Sequence, residues 1–304
     1  MRKHAFRLAA GLAAVSLSAT ACGGDATGEE TTAAGESGSS CDSVTLGFIP
    51  SWTDGLSNAY LWQNVLEDRG YEVEFEEISD AAPLYTGLAE GDVDVYPSAW
   101  SEVTHAQYME EYGDSIEDLG AWYEGAVLTF AVPEYTEIDS IADLAENPEM
   151  FDSRIVGIEP GAGLTDTTKN SVIPAYGLDE AGYELVESST TAMLAELQSA
   201  VDAQEDIVVT LWHPFWAYSQ FPLKDLEDPE GALGEPEALH ILATEGFSDR
   251  CAEVADLMGE LQLTDEQYAA LENTVVNEYG EGQYAEGVEA WLEANPEVAE
   301  TLKG

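Results

Sequence analysis

Basic side chains are scarce in this sequence. Lysine and arginine together number 9 among 304 residues, against 61 aspartates and glutamates, and the formal net charge at pH 7 is −52. The acids are spread along the chain, which predicts a solvated acidic coat suited to high salt, because salt screens the repulsion between like charges. A surface of this kind repels nucleic acid and anionic lipid, so we expect no nucleic-acid partner.

Histidines and catalytic motifs are also few. The 4 histidines show no metal-ligand spacing, and His105 is predicted to lie at a helix start rather than to bind a metal. The sequence contains no D-x-[DN]-x-[DN]-G calcium loop, no G-x-S-x-G elbow and no H-E-x-x-H motif. A secreted hydrolase is therefore the disfavoured class. We expect no enzyme activity, no metal site and no cofactor.

The apolar run at the amino terminus is short. Residues 1–21 join the basic stretch MRKHAFR to LAAGLAAVSLSA and a few small residues, a pattern that predicts a signal peptide. A membrane span would need about 20 apolar residues. Cys22 follows as in a bacterial lipobox, with Ala19 where leucine is usual, so we expect Cys22 to be lipidated after cleavage. An ordinary secretory peptide cut nearby is the alternative.

Large apolar side chains are missing from residues 23–40, GGDATGEETTAAGESGSS. A segment of this composition cannot bury enough surface to fold, so residues 22–42 are predicted to be a lipidated cysteine and a flexible tether. Together they would hold a folded domain at the outer face of the cytoplasmic membrane.

Cysteine is rare, with 3 in the chain. Beyond Cys22 only Cys41 and Cys251 remain, and exported proteins meet conditions in which thiols oxidise. This favours one disulfide between the start of the domain and its C-terminal part over two free thiols.

From about residue 43 the sequence alternates between strand and helix patterns. The strand-like segments are SVTLGFI, YEVEFEEI, GDVDVYPSAW, AVLTFAVP, RIVGIEP and DIVVT. Helical spacing appears in NAYLWQNVLEDRG, LYTGLAEG, SSTTAMLAELQSAVDAQ, CAEVADLMGELQL, TDEQYAALENTVVNEYG and EGVEAWLEAN. This βαβ rhythm predicts an α/β fold with a largely parallel sheet.

The part of the chain that is predicted to fold is longer than a single hydrophobic core usually allows, which predicts two lobes. AVPEY and TLWHP are the expected crossings, because each is a buried strand that ends at a proline. Lobe I is thus predicted to comprise residues 43–131 and 215–304, and lobe II residues 132–214.

Tryptophans follow several predicted strands, namely Trp52, Trp100 and Trp212, while Trp122 precedes AVLTF. Ligands of parallel α/β sheets bind at the carboxyl ends of strands, and lobe interfaces favour such clefts. An aromatic face attracts a cation by about 0.5 to 2 kcal/mol. One such tryptophan is more often a packing residue, but four in equivalent positions predict a cage for a quaternary ammonium group.

Seven segments together resemble the substrate-binding lipoproteins of ABC importers for glycine betaine and related quaternary amines. The resemblance extends from Ser43 to Gly304 and is carried in order by PSWTD, GYEVE, LAEGDVDVYPSAWSEVTH, AVPEYTEIDSIADL, GIEPGAG, AMLAELQSAV and VVTLWHPFWAYSQFPLKDLEDP. It implies a monomer with the two-lobe type II periplasmic-binding-protein fold and its ligand in the interlobe cleft. It also implies a role in osmoprotectant uptake, with the ABC permease subunits as membrane partners.

The resemblance also assigns residues to the site. Trp52, Trp100 and Trp212 match cage residues, and Trp216 matches the last tryptophan of the family's Trp-x-Pro-His-Trp motif. This sequence has Trp-His-Pro-Phe-Trp instead, with Phe215 in place of the histidine. His213 is therefore the remaining histidine candidate for a donor to a ligand carboxylate.

Five further residues are candidates. Trp122 and Tyr123 are aromatic candidates for the cage. Gly161 and Ala162 belong to a GAG turn before a predicted helix start, whose free N–H groups would bind a carboxylate, with a plain tight turn as the alternative. Asp54 either caps the next helix or favours a cationic ligand such as choline. Carnitine and ectoine share the features that the cage recognises, and we expect glycine betaine or a close relative to bind more tightly than choline.

Overall fold

The computed structural model describes residues 41–303. The predicted signal peptide, the lipidation site Cys22 and the tether as far as residue 40 lie outside the described residues. Within residues 41–303, no helix combines the length and the apolar character that crossing a membrane requires.

Strands and helices alternate along the described chain. The strands are β1 (Ser43–Phe48), β2 (Glu72–Glu77), β3 (Val95–Ala99), β4 (Ile116–Pro133), β5 (Arg154–Val156), β6 (Glu184–Val186), β7 (Val209–His213), β8 (Leu223–Asp225) and β9 (Glu237–Thr244). The α-helices are α1 (Thr53–Glu67), α2 (Ala81–Glu90), α3 (Ala106–Tyr112), α4 (Gly163–Thr167), α5 (Ile173–Ala175), α6 (Thr190–Ala203), α7 (Ala217–Gln220), α8 (Phe247–Arg250), α9 (Ala252–Gly259), α10 (Asp265–Glu272), α11 (Tyr284–Ala294) and α12 (Pro296–Thr301). Short 3₁₀ segments cover Gly113–Ser115, Ile141–Glu146 and Pro148–Phe151, and π turns cover Thr168–Val172 and Asn273–Tyr279.

The strands follow the spatial order β2-β1-β3-β9-β4-β7-β5-β6, and β8 also pairs with β4. β1 runs parallel to β2 and β3, and β5 runs parallel to β6 and β7. β9 is antiparallel to both β3 and β4, and β4 is antiparallel to β7 and β8. The prediction of a largely parallel sheet is therefore wrong: the sheet is mixed, because two long strands return antiparallel through its middle.

β4 belongs to both halves of the molecule. Its residues 116–126 pair with β9, and its residues 127–133 pair with β7 and β8. The segment 127–131 and strand β8, which are predicted from the sequence to belong to lobe I, thus pair with strands of the other half. We therefore propose to draw lobe I as residues 43–126 and 237–303, and lobe II as residues 127–236.

A capping box fixes where α10 begins, whereas α1 begins without a side-chain cap. Thr264 precedes α10 in a capping box, with its Oγ1 accepting from the Gln267 N–H at 3.3 Å and the Gln267 side chain accepting from the Thr264 N–H at 3.0 Å. Such a cap stabilises a helix by about 1 kcal/mol. α1 begins earlier than its apolar spacing predicted, so that Trp52 occupies the N-cap position and Asp54 the first turn.

A disulfide joins the start of the domain to its C-terminal part, as the sequence predicted. The Cys41 and Cys251 sulfurs are 1.99 Å apart and the two Cα atoms are 5.1 Å apart. Cys41 precedes β1 and Cys251 lies at the start of α9, so the bond closes a loop with a sequence separation of 210.

Candidate functional site

A cavity lies between the two lobes, and we call it the interlobe cavity. Its walls are formed by Trp52, Asp54, Trp100, Thr104 and His105 of lobe I and by Leu128, Ile158, Ala162, Gly163, Leu164 and Trp212 of lobe II. Five of the residues predicted from the sequence therefore meet here.

Three tryptophans reach the interlobe cavity from separate elements. Trp52 follows β1 and begins α1, Trp100 is the first residue after β3, and Trp212 lies near the end of β7. All three are buried. In α/β sheets the ligand site lies at the carboxyl ends of the strands. These three tryptophans, which are far apart in sequence, meet at such a place.

Asp54 supplies the acidic group of the cavity wall. Its carboxylate is 3% exposed and accepts a hydrogen bond at Oδ2 from Ser98 Oγ at 2.6 Å and another from Trp100 Nε1 at 3.3 Å. Burial raises the pKa of Asp54, while these hydrogen bonds act in the opposite direction. The side chain therefore faces the cavity in the first turn of α1 and does not occupy the N-cap position.

His105 was not predicted to line the cavity, although it does lie at a helix start as expected, in the N-cap position of α3. Its ring stacks on Trp52 with centroids 5.8 Å apart, and Nδ1 is 3.3 Å from Tyr85 Oη. Burial lowers the pKa of His105 to about 3. The imidazole is thus neutral at pH 7 and places no positive charge beside the tryptophans.

Thr104 is positioned by a carboxylate far away in the sequence. Glu237, which is buried at the start of β9, accepts hydrogen bonds from the backbone N–H groups of Glu102 at 3.2 Å, Val103 at 3.0 Å and Thr104 at 3.0 Å. One side chain thereby fixes the loop between Trp100 and His105. A sequence separation of more than 130 residues hides this relationship from local pattern analysis.

The GAG turn supplies part of the lobe II wall. Ala162, Gly163 and Leu164 line the cavity, and helical backbone continues from Gly163 through α4, the π turn and α5 to Ala175. The first N–H groups of a helix have no intrahelical acceptor. The turn therefore places backbone donors and the positive end of a helix at the cavity.

Gly161, also predicted as a site residue, does not line the cavity but contacts the other lobe. Its carbonyl accepts a hydrogen bond from Tyr108 Oη at 3.1 Å. A Cβ atom on Gly161 would overlap the Asp80 carboxylate, and one on Gly163 would overlap the backbone oxygen of Thr104. Both glycines are therefore required by the close approach of the two lobes.

His213 faces away from the cavity. It follows Trp212 on β7, and consecutive side chains of a strand point to opposite faces of the sheet. His213 Nε2 lies 2.7 Å from Asp225 Oδ2, and the ring stacks on Tyr218 at 3.9 Å. The structure therefore does not place His213 where it would donate to a ligand in the cavity.

Three predicted aromatics also lie outside the cavity wall. Trp122 and Tyr123 pack against Tyr268 of α10, with ring centroids 4.8 and 5.0 Å apart. Trp216 packs against Phe215 at 5.5 Å. These side chains contribute to packing in their own lobes, and the sequence pattern alone does not distinguish them from the cavity tryptophans.

Glu272 is a second buried carboxyl of lobe I, near Asp54. It is fully buried at the end of α10, where Oε1 accepts a hydrogen bond from Thr53 Oγ1 at 2.7 Å. Burial, with a smaller contribution from the nearby Asp54 carboxylate, raises the pKa of Glu272 to about 8, although the hydrogen bonds from Thr53 and the Trp216 backbone act in the opposite direction. Glu272 therefore binds a proton in the folded protein at a pH where the unfolded chain has released it.

We expect Glu272→Gln to remove part of the pH dependence of stability. Because the pKa of Glu272 rises from 4.5 to about 8 on folding, its contribution to stability is fully present below about pH 4.5 and is lost as pH rises towards 8. Between pH 5 and 7 the parent should lose about 2 kcal/mol from this group, and the variant should not. Urea denaturation at several pH values measures the difference.

Glu266→Gln, on the exposed face of α10, is the matched control for Glu272→Gln. Parallel pH profiles of stability for the parent and Glu272→Gln would contradict the prediction.

Comparison with known families gives one match over most of the chain. The family described as the substrate binding domain of ABC-type glycine betaine transport systems matches residues 42–294. The glycine betaine/carnitine transport binding protein GbuC of Listeria monocytogenes is 33% identical over 152 residues, which are 49% of this chain and 48% of that protein. The matched region thus spans about half the length of this relative.

Solved structures match over more of the chain. The glycine betaine/L-proline-binding protein ProX of Borrelia burgdorferi has a TM-score of 0.79 and 31% identity, covering 86% of this chain and 96% of that one. Lactococcal OpuAC, closed on glycine betaine, has a TM-score of 0.78 and 27% identity, covering 86% and 99%. An ABC-transporter choline binding protein with choline has a TM-score of 0.76 and 25% identity, covering 86% and 92%. The type II periplasmic-binding-protein fold predicted from the sequence is confirmed.

Proposed function

Because the chain belongs to the family of substrate-binding domains of ABC-type glycine betaine transport systems, we propose that it captures glycine betaine or a related quaternary amine and delivers it to an ABC permease. The family and the similar structures are substrate-binding proteins and not enzymes. The proposal includes a monomer that works outside the cytoplasm in osmoprotectant uptake. The predicted signal peptide and lipidated Cys22 support a position at the outer face of the cytoplasmic membrane.

The observation that carries the proposal is the meeting of Trp52, Trp100 and Trp212 around one cavity. A quaternary ammonium group offers no hydrogen-bond donor, so aromatic faces are the groups that recognise it. The neutral His105 imidazole adds a further aromatic ring without repelling a cation. We propose that these rings form a cage around the trimethylammonium group.

The two ends of the cavity favour a zwitterion. Asp54 lies on the lobe I wall, and the helix start at Gly163 lies on the lobe II wall. Trp212 Nε1 is buried and has no hydrogen-bond acceptor among residues 41–303, which leaves one more donor for a ligand oxygen. Glycine betaine would thus place its ammonium between the tryptophans and its carboxylate at the lobe II donors.

Choline is the second candidate, and Asp54 is the observation that favours it. Choline is a cation with a hydroxyl group, and a buried carboxylate can accept a hydrogen bond from that hydroxyl. The similarity to a choline binding protein supports the same alternative. The two ligands differ in whether they need the donors at the GAG turn.

We expect calorimetric titration in high salt to show glycine betaine binding more tightly than choline, with proline betaine, carnitine and ectoine completing the panel. Asp54→Asn should change betaine affinity by less than tenfold, about 1.4 kcal/mol, because Asn keeps the shape of the wall and the helix start still holds the ligand carboxylate. Asp68→Asn, an exposed substitution after α1, is the matched control. Choline binding at least tenfold tighter, with that preference lost in Asp54→Asn, would make Asp54 the counter-ion of a cation site. A parent that bound no compound of the panel would exclude the proposed function.

A further inference from the structure

Glu159 lies at the junction of the two lobes. It follows β5 in the segment that leads to the GAG turn, and it is 6% exposed. Within lobe II, Thr190 donates to both carboxylate oxygens, from its backbone N–H to Oε1 at 3.0 Å and from its Oγ1 to Oε2 at 2.9 Å. These two bonds fix the carboxylate at the start of α6.

The same two oxygens accept hydrogen bonds from lobe I. Ser51 Oγ donates to Oε1 at 3.0 Å, and Trp52 Nε1 donates to Oε2 at 3.1 Å. Each oxygen of Glu159 therefore accepts one bond from each lobe. Hydrogen bonds to an ionised acceptor are about twice as strong as those between neutral groups, so this carboxylate favours the closed arrangement of the lobes.

Trp52 connects these bonds to the interlobe cavity. Its ring lines the cavity and stacks on His105 of its own lobe, while its Nε1–H is held by Glu159 of the opposite lobe. If the lobes separate, Ser51 and Trp52 lose this acceptor, whereas the bonds from Thr190 remain. The orientation of Trp52 therefore depends on whether the lobes are closed.

We propose that Glu159 is a positioning residue that couples lobe closure to the orientation of Trp52 in the cavity, an inference that builds on the proposed ligand-binding function. It acts through Trp52 and Ser51 and does not line the cavity itself. The neighbouring Gly161 and Gly163 allow the segment that carries Glu159 to reach lobe I. Closure then both encloses the ligand and orients one ring that holds it.

The test compares ligand association and dissociation rates by stopped-flow tryptophan fluorescence with glycine betaine. Glu159→Ala should accelerate dissociation about thirtyfold and leave association within threefold of the parent, because an encounter with the open lobes does not require these bonds. Ser51→Ala removes one hydrogen-bond donor and leaves the Glu159 side chain unchanged, and it should accelerate dissociation about threefold. Glu196→Gln removes the same charge from lobe II at an exposed ion pair with Arg154 and should behave like the parent.

A double-mutant comparison tests whether the effect passes through Trp52. Trp52→Phe keeps an aromatic face but removes the N–H donor. In that background Glu159→Ala should have a clearly smaller effect on dissociation than in the parent, because one of its bonds is already absent. Equal effects in the two backgrounds, or a dissociation rate of Glu159→Ala within twofold of the parent, would overturn the proposal.

Small-angle scattering without ligand separates this proposal from the proposed function. Glu159→Ala should have a larger radius of gyration than the parent, and Glu196→Gln should not. If the parent bound no quaternary amine, the proposed function would fail, and small-angle scattering alone would test whether Glu159 stabilises the closed lobes. An unchanged radius of gyration in Glu159→Ala would then overturn the coupling.

Discussion

Replacing Trp212 by Ala is expected to weaken glycine betaine binding a hundredfold or more, about 3 kcal/mol. The loss combines the cation–π contact with the admission of water beside the ammonium group. Trp100→Ala should have an effect of similar size, because its indole lines the same cavity and also donates to Asp54. Calorimetric titration of each variant measures the change, and circular dichroism verifies that the fold remains.

Trp216→Ala is the matched control for these two substitutions. Trp216 belongs to the same WHPFW segment as Trp212 but lies outside the cavity wall. We therefore expect its affinity for betaine to stay within threefold of the parent, even where stability falls. Parental affinity in both Trp100→Ala and Trp212→Ala would exclude the cage. A hundredfold loss of affinity in Trp216→Ala would instead show that Trp216, the second tryptophan of the motif, contacts the ligand.

Removing the disulfide is expected to lower the free energy of unfolding by about 5 kcal/mol. The bond between Cys41 and Cys251 spans a sequence separation of 210, and a cross-link across a long loop restricts the unfolded chain strongly. The double variant Cys41→Ser/Cys251→Ser should therefore denature at a markedly lower urea concentration.

The parent in the presence of reductant is the control for this variant, and both should give the same denaturation midpoint. Neither cysteine lines the interlobe cavity, so the affinity for betaine should stay within threefold as long as the protein remains folded. A midpoint unchanged in the double variant would show that the cross-link contributes nothing to stability.

The sequence predicts the parts of the site that depend on local pattern. A strand followed at once by a tryptophan indicates a residue at a sheet edge, and Trp100 and Trp212 lie there. The GAG turn indicates a helix start, which the structure has at Gly163. The alternation of side chains along a strand also implies that Trp212 and His213 point in opposite directions.

Long-range pairing is what the sequence does not reveal. EALHILAT forms β9 and pairs with strands more than 100 residues earlier, and no local signal states which strands it joins. The same holds for Glu237, whose acceptor role depends on a loop near residue 103. Nor does the sequence show that Trp122, unlike Trp100, packs against Tyr268 in the interior of lobe I.

β4 has a mechanical consequence, because both lobes share this one strand. Leu128 on β4 borders the cavity, so a ligand bound there would lie beside the strand that the two lobes share. In any rotation, displacement grows with distance from the axis. If the lobes rotate about β4, a small adjustment near Leu128 would therefore become a larger movement at the outer rims of the lobes. A rotation about β4 would therefore convert occupancy of the interlobe cavity into a change in the outer shape of the protein.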